Sequence, residues 1–515
     1  MYAWSGWHVT VRRKLLEYRK SLSFDGTSRL ESEFMDRRSF LRTAAAAALA
    51  PKLAAASAPP NIVYILADDL GWGDLRCYNP ESRIPTPNLD RLASQGIRFT
   101  DMHSPSAVCT PTRYGIMTGR YCWRSRLDKG VLNGYSPSLI EEGRQTAPGF
   151  LRAAGYRTSG VGKWHLGLGA QDRTDYQAAL HPGPIDRGFD YYYGIPASLD
   201  MPPYLYFEND RVVEQATAST PNTGGPDPSG AYWRGGPIAP SFRMEEVLPL
   251  LTRKSVECIR EAGARPKQPF FHYFAMPAPH TPWMPTAQFR GKSGAGDYGD
   301  FVVEVDDAAG QVLRAIEETG QASNTLVIFA SDNGARWTRD MIARYGHRAN
   351  AGWRGMKADI WDGGHRIPFL ARWPGRIRAG ASTGELGCLT DFFATTAGLL
   401  GRKVTHNTAE DSFNLLPLMT GKSSRSPREA VVHHSTLGMF SIRDRNWKLV
   451  LGHGSGGFTE PITVKSRPGD PPGELYDMSV DPGEARDLYS ERPQEVARLT
   501  KLLQRYRAEG RSRPG

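Results

Sequence analysis

The feature that most constrains the fold is a repeated pattern in which a largely apolar, strand-like run ends and a polar group follows at once. The pattern occurs at residues 61–69, 157–165, 269–280 and 325–333. Strands that are apolar on both faces are typical of a largely parallel sheet covered by helices. A chain of 515 residues is long enough to bury such a sheet. We therefore predict an α/β fold.

The polar groups that follow these runs indicate a site, because ligands of parallel sheets bind outside the carboxyl ends of the strands. The groups are Asp68 and Asp69, Lys163 and His165, His280, and Asp332 and Asn333. Adjacent carboxylates repel each other, and a hard cation relieves that repulsion. Taken alone, Asp68 and Asp69 are also consistent with a helix cap or a turn, and Asp332 and Asn333 with a turn. Together they predict an all-oxygen Ca²⁺ or Mg²⁺ site.

A second motif places a cysteine at the start of a predicted helix. Pro111 suits the first turn, where its missing N–H costs nothing. Cys109 then lies where free N–H groups favour negative charge, and Arg113 adds a fixed cation on the same face. This pattern indicates an anion pocket beside a modifiable thiol. An ordinary helix start with a buried cysteine is the alternative for the motif taken alone.

The Cys109-x-Pro111-x-Arg113 motif, followed by Thr118 and Gly119, resembles the signature of the type I sulfatases. The resemblance covers roughly residues 61–507. It implies an alkaline-phosphatase-like fold, with a large, mixed, mostly parallel sheet between helices and a smaller C-terminal antiparallel sheet with a helix. It also implies that a maturation enzyme oxidises Cys109 to formylglycine, whose hydrate attacks sulfur.

The resemblance further implies a role for each matched residue. Lys163 and Lys357 would hold the sulfate, and His280, with Lys357, would protonate the departing oxygen. His165 would take the proton from the hydrate so that the aldehyde is regenerated. Arg113 and Asp332 would stabilise and activate the hydrate. One Ca²⁺ would be bound by oxygens of the following positions: Asp68, Asp69, Asp332, Asn333 and the formylglycine at Cys109, together with a sulfate oxygen.

Residues 1–58 are expected to be an N-terminal extension rather than part of the fold. Arg37 and Arg38 precede Phe-Leu and an alanine-rich run, which looks like a twin-arginine export signal. Because Met35 stands just before this segment, residues 1–34 are either an over-long start or an extended n-region. Residues 59–425 are predicted as the catalytic domain, and residues 426–515 as a small α+β domain with short strands before a helix from about residue 493 to 509. An exported, periplasmic or extracellular location follows.

Charge and composition exclude some partners. The net charge is +10, of which +5 belongs to residues 1–58, where ten basic and five acidic residues occur. No basic run with interleaved aromatics is present, so nucleic acid is not expected as a partner. No later apolar run reaches the roughly 18 residues that span a bilayer, so no transmembrane anchor is expected. If Cys109 is modified, an even number of cysteines remains, which permits disulfides but equally free thiols: Cys77, Cys122, Cys258 and Cys388.

Two further polar segments lie outside these motifs. Residues 217–240 are rich in Gly, Pro, Ser and Thr, and we interpret them as a long loop that is a surface insertion rather than a substrate wall. His347, Arg348 and Asn350 precede Lys357, and either a position facing the substrate or a solvated loop fits them.

The predicted function is hydrolysis of sulfate monoesters on a sulfated glycan or small molecule such as an aryl sulfate. One alternative is a phosphodiesterase or phosphonate monoester hydrolase of the same superfamily. Another is a non-catalytic binder of sulfated glycan in which Cys109 stays a thiol.

Overall fold

The structure is a computed structural model that describes residues 59–224, 230 and 232–514. These described residues belong to one compact unit. The predicted N-terminal extension and its twin-arginine-like segment lie outside the described residues. The predicted boundary near residue 425 stays a prediction.

The secondary structure follows the order expected of an α/β chain. The strands are β1 (Asn61–Ala67), β2 (Ile97–Phe99), β3 (Met102–His103), β4 (Arg157–Lys163), β5 (Tyr191–Ile195), β6 (Phe207–Glu208), β7 (Arg211–Val212), β8 (Ala218–Thr220), β9 (Gly236–Ile238), β10 (Phe270–Ala275), β11 (Thr325–Ser331), β12 (Phe369–Arg372), β13 (Ala381–Thr383), β14 (Gly387–Cys388), β15 (Val431–His434), β16 (Phe440–Arg443), β17 (Trp447–Val450) and β18 (Glu474–Asp477). The helices are α1 (Pro87–Ser94), α2 (Cys109–Thr118), α3 (Ala147–Arg152), α4 (Val247–Gly263), α5 (Gly296–Glu318), α6 (Arg339–Tyr345), α7 (Asp362–His365), α8 (Phe392–Leu399), α9 (Leu416–Met419) and α10 (Pro493–Ala508).

A ten-stranded mixed sheet forms the centre of the molecule, with strand order β13-β2-β12-β11-β1-β10-β4-β5-β6-β7. The five strands from β11 to β5 are all parallel, and antiparallel pairing occurs only towards the two edges, among the described strands. Every residue of β1, β10 and β11 is buried. The prediction of a largely parallel sheet buried on both faces is therefore confirmed.

Helices cover this sheet because their apolar faces need a partner. Helix α4 packs on α5 and on strands β4 and β10. Elsewhere on the sheet, Phe392 of α8 makes an edge contact with Tyr64 of β1, with ring centroids 4.8 Å apart. Helix α5, which runs from Gly296 to Glu318, is the longest of the described helices. Among the described residues, no helix combines the length and apolarity needed to cross a membrane.

The predicted small C-terminal sheet is present as an antiparallel sheet of order β15-β16-β17-β18. Its apolar residues form a cluster with α10 that also includes residues such as Leu386 from the larger part of the chain. A buried ion-pair network fixes the sheet in place. Lys448 of β17 contacts Asp362 of α7 at 2.9 Å and Glu484 at 2.7 Å, and Arg443 of β16 contacts Asp101 at 2.7 Å. The two parts therefore share one interior.

Residues 217–240 are not only a loop, because strands β8 and β9 pair within them as a small antiparallel ribbon. No clean alternation of apolar and polar residues marks these two strands, since Gly and Pro interrupt it. All five cysteines have free thiols.

Candidate active site

The polar groups predicted at the strand ends lie at one edge of the large sheet. Strands β1, β10, β4 and β11 are neighbours, and their pairing aligns Ala67 with Ser331 and Ala275 with Gly162. The residues that follow each strand therefore emerge side by side. The described chain brings together all ten predicted site residues: Asp68, Asp69, Cys109, Arg113, Lys163, His165, His280, Asp332, Asn333 and Lys357.

The backbone of this edge departs from ordinary geometry. Asp69 and His165 have positive φ values of 66° and 54°, which non-glycine residues rarely adopt. Gly162 precedes Lys163 with φ 123°, and a Cβ there would lie 1.9 Å from the carbonyl oxygen of Ala275. Such conformations cost of order 1–3 kcal/mol each and persist where the surroundings over-determine them. The chain is therefore bent to direct these side chains into the site.

Cys109 begins α2, and Val108 in extended conformation caps the helix. The buried thiol donates to Oδ1 of Asp68 over 3.6 Å. Arg113, one turn along, donates from Nε and Nη2 to Oδ2 of Asp332 at 3.1 and 2.9 Å. Its Nη1 donates to the carbonyl oxygen of Lys163 at 2.9 Å. Arg113 thus ties helix α2 to the ends of both β4 and β11.

Two lysines neutralise the paired carboxylates that follow β1. Nζ of Lys163 lies 2.6 Å from Oδ2 of Asp68, and Nζ of Lys357 lies 2.7 Å from Oδ2 of Asp69. All four side chains are at most 9% exposed. Buried charges are stable only when paired in this way. The site therefore concentrates cations and carboxylates around the Cys109 thiol.

The oxygen atoms of the site fit a hard divalent cation. Asn333 donates from Nδ2 to Oδ1 of Asp69 at 2.7 Å, so its own Oδ1 takes no part in this hydrogen bond. That Oδ1 is buried and has no hydrogen-bond partner among the described residues. Ligand atoms of Asp68, Asp69, Cys109 and His280 lie within 4.8 Å of one another. An unpartnered amide oxygen beside carboxylates is the donor set that Ca²⁺ and Mg²⁺ prefer.

The two histidines present different ring nitrogens. Nε2 of His165 lies 2.7 Å from the carbonyl oxygen of Leu132, which only accepts, so this nitrogen carries the proton. Nδ1 of His165 is buried without a partner among the described residues and is a lone-pair acceptor when the ring is neutral. Nδ1 of His280 donates to the carbonyl oxygen of Thr281 at 2.7 Å, and its Nε2 lies 3.7 Å from Oδ2 of Asp69.

Burial shifts the pKa values of several site residues. It raises the pKa of the Cys109 thiol to about 12, although Lys163 and Lys357 act in the opposite direction. Burial and the neighbouring Asp68 raise the pKa of Asp332 to about 7. Burial also opposes ionisation of Asp68, but Lys163 and other nearby cations outweigh it, so its pKa is well below the usual range. The thiol is therefore protonated at neutral pH and is a poor nucleophile as it stands.

Burial lowers the pKa of both histidines. For His165 the positive charge of Lys163 adds to the effect of burial, and the pKa is well below its ordinary value. For His280 the charge of Lys357 adds to it, whereas Asp69 acts in the opposite direction. Burial therefore favours the neutral form of both rings.

A pocket of about 160 Å³ opens above Cys109, and His165, His280 and Lys357 line it. Sequence reasoning missed several other lining residues: Ser198, Asp200, Tyr232, Arg234 and Phe458. Ser198 and Asp200 follow strand β5, so the pattern of a strand followed by polar groups could have found them. Tyr232 and Arg234 belong to residues 217–240, and interpreting that segment as a surface insertion was wrong.

His347 and Asn350 do not line this pocket, and they are not solvated. His347 is buried, and its Nε2 lies 2.8 Å from Oδ1 of Asp74. Asn350 is also buried and exchanges two hydrogen bonds with the backbone of Ala335. Arg348 between them is exposed. His347 and Asn350 therefore stabilise the loops behind the site. Neither of the two interpretations from the sequence anticipated this role.

Comparison with known proteins agrees with this geometry. The sulfatase family model matches residues 60–402. An N-acetylgalactosamine-6-O-sulfatase of Bacteroides thetaiotaomicron is 32% identical, over 87% of this chain and 93% of its own. Human arylsulfatase A is 36% identical, over 86% of this chain and 85% of its own.

Comparison with solved structures agrees with the comparison of sequences. One from Bacteroides thetaiotaomicron, described under the metabolism of multiple glycosaminoglycans, is 32% identical with a TM-score of 0.78, and the alignment covers 88% of this chain and all of that one. Sequence and fold thus agree over nearly the whole described chain. The chain belongs to the type I sulfatase family, with its alkaline-phosphatase-like fold, and is a sulfuric ester hydrolase.

Proposed function

We propose that this enzyme hydrolyses sulfate monoesters of a carbohydrate or an aryl alcohol, using formylglycine made from Cys109 and one Ca²⁺. The observation that carries the proposal is the position of Cys109 at the floor of the pocket, with Asp68 against its sulfur and Lys357 and two histidines around it. The names of the relatives, an N-acetylgalactosamine-6-O-sulfatase and an arylsulfatase A, support both substrate classes.

Maturation replaces the Cβ thiol of Cys109 by an aldehyde. This is a two-electron oxidation in which the sulfur leaves as sulfide and water supplies the oxygen in the overall balance. A separate maturation enzyme would bring the oxidant, such as dioxygen. The hydrate of the aldehyde then supplies the oxygen that attacks sulfur. Because the thiol itself is protonated, the unmodified residue offers no comparable nucleophile.

Oxygens of Asp68, Asp69, Asp332 and Asn333 would hold the Ca²⁺, which supplies positive charge to the sulfuryl oxygens when bound. Lys163 and Lys357 add two further cations that can move from their carboxylate partners to the substrate. Charge placed in advance where negative charge develops is worth most in a buried site.

Proton transfer falls to the two histidines in this proposal. The free Nδ1 of His165 is ready to accept a proton from the hydrate, because its Nε2–H is held by Leu132. His280 directs Nε2 towards Asp69 and the pocket and would protonate the departing oxygen. The negative charge of a bound sulfate ester would oppose the effect of Lys357 and favour the charged ring.

Export by the twin-arginine-like segment is part of this proposal, since a sulfated carbohydrate outside the cytoplasm would then be within reach. The division of the chain into a catalytic domain and a small C-terminal domain that begins at residue 426 also belongs to the proposal.

The proposal is tested by parallel assays of matured enzyme on nitrophenyl sulfate and on bis(nitrophenyl) phosphate. We expect kcat/KM to be higher on the sulfate ester by orders of magnitude. Mass spectrometry of the Cys109 peptide is measured on the same preparation and should show loss of the thiol sulfur. Faster hydrolysis of the phosphodiester would favour the phosphodiesterase alternative, and an intact thiol with no turnover would favour the glycan binder.

The role of His280 predicts a dependence on the leaving group. In His280→Ala, kcat on a sulfated sugar should fall roughly 10²- to 10⁴-fold, because a sugar alkoxide needs its proton in the transition state. A nitrophenolate leaves with little help, so the loss on nitrophenyl sulfate should be far smaller. His453→Ala is a matched control, since His453 lies outside the pocket beside Glu474. Equal losses on both substrates would show that His280 is not the general acid.

A further inference from the structure

The loop that follows strand β5 lies against the catalytic loop. Strands β4 and β5 are parallel neighbours with Lys163 opposite Ile195. The backbone N–H of Trp164 donates to the carbonyl oxygen of Ile195 at 3.1 Å, and the N–H of His165 donates to Pro196 at 3.0 Å. The residues after Pro196 therefore lie at the same edge of the sheet as Lys163 and His165 at the end of β4.

Two buried polar side chains in this loop have unused hydrogen-bonding capacity. Ser198 is 2% exposed and Asp200 is 5% exposed, and both line the pocket above Cys109. The hydroxyl of Ser198 and Oδ1 of Asp200 have no hydrogen-bond partner among the described residues. Buried polar groups are normally paired, so each unpaired group calls for an explanation. A ligand in the pocket is the explanation that their position favours.

Arg234 holds the Asp200 carboxylate in one orientation. Its Nη1 donates to Oδ2 at 2.5 Å and to the backbone carbonyl oxygen of Asp200 at 3.2 Å. Its backbone N–H donates to the same carbonyl at 3.0 Å, and its own carbonyl accepts from the hydroxyl of Tyr204 at 2.6 Å. One carboxylate oxygen is thus occupied, and Oδ1 is left as a positioned acceptor.

The mouth of the pocket adds an apolar surface. Phe458 lines the pocket and is 47% exposed. Its backbone N–H donates to Oδ1 of Asp359 at 2.7 Å, which fixes the residue on the loop between β17 and β18. An exposed aromatic ring beside hydrogen-bonding acceptors suits a sugar, which presents both C–H faces and hydroxyl groups.

We propose that Ser198 and Asp200 recognise a free hydroxyl group near the sulfate ester on the same sugar ring, so that the substrate is a carbohydrate sulfate rather than an aryl sulfate. This inference rests on the proposed sulfate ester hydrolysis and narrows its substrate class. Oδ1 of Asp200 accepts the sugar O–H, and the Ser198 hydroxyl donates to or accepts from the same or an adjacent oxygen. An aryl leaving group has no such donor and leaves both groups unpaired, which a polar pocket penalises strongly.

The test uses full-length matured enzyme, nitrophenyl sulfate and a panel of monosulfated hexoses and N-acetylhexosamines. The wild type should turn over at least one sugar sulfate. On the best sugar, Asp200→Asn and Ser198→Ala should each lower kcat/KM, by roughly 10- to 100-fold for Asp200→Asn, because a hydrogen bond to a charged acceptor is lost. The loss on nitrophenyl sulfate should be at least fivefold smaller. Asp210→Asn is the matched control, since Asp210 pairs with His181 and Arg211 outside the pocket.

Deoxy analogues of the best sugar identify the hydroxyl that is recognised. Removal of that hydroxyl should slow the wild type about as much as Asp200→Asn does, and the two changes together should cost little more than either alone. Equal losses of the variants on sugar and aryl substrates, or no turnover of any sugar sulfate by an enzyme that cleaves nitrophenyl sulfate, would overturn the inference alone. No hydrolysis of any sulfate ester by matured enzyme would overturn the proposed function and the inference with it.

Discussion

Replacement of Cys109 by alanine is expected to lower kcat on sulfate esters by roughly 10⁴-fold or more, because no other group replaces a covalent nucleophile. Cys109→Ser should be equally inactive if the aldehyde is required, since serine keeps the size and polarity of the side chain but not the precursor thiol. The free energy of unfolding should change little in either variant, because Cys109 lies on the floor of a polar pocket. The measurements are sulfate release and the thermal unfolding midpoint.

Cys258→Ala is a matched control for this experiment, since Cys258 lies on α4 and does not line the pocket. It should keep wild-type turnover and leave the modification of the Cys109 peptide unchanged. Activity of Cys109→Ala near the wild-type level would contradict the assignment of the nucleophile.

Removal of metal is expected to inactivate the enzyme, and Ca²⁺ should restore it. Asp68→Ala and Asp332→Ala should each weaken Ca²⁺ binding by about 100-fold or more, because each removes a charged ligand from the oxygen cage. Elemental analysis and calorimetric titration with Ca²⁺ measure the effect directly, independently of turnover. Loss of Asp68 leaves Lys163 without its carboxylate partner at 2.6 Å. Loss of Asp332 leaves Arg113 with a second carboxylate, Asp68 at 3.5 Å, so Asp68→Ala should lose more stability than Asp332→Ala.

Asp307→Asn, on the surface of α5, is the control for the metal experiment and should bind Ca²⁺ as the wild type does. Full activity in a preparation that elemental analysis finds free of metal would exclude this cation site.

Much of the fold was predictable because its signals are local. Runs such as 61–67 and 325–331 are apolar on both faces, and this alone indicates parallel strands, since burial on both sides removes the period-two alternation. Because parallel strands end at one edge, the polar residues after them had to meet. The predicted helix start at Cys109 rests equally on a neighbour in the sequence, namely Pro111.

The tertiary structure alone decided which residues line the pocket above Cys109. Ser198 and Asp200 reach the pocket only because β5 lies beside β4, and Arg234 reaches it because the chain folds back after β8. His347 was expected either to face the substrate or to lie in a solvated loop, yet it is buried because Asp74, far away in the chain, offers it a carboxylate. The contact between Asp74 and His347 joins residues 273 positions apart, and neither composition nor periodicity records such a contact. The sequence by itself thus determined the central strands, their common edge and the position of Cys109 at a helix start, whereas long-range packing decided the shape and polarity of the pocket above it.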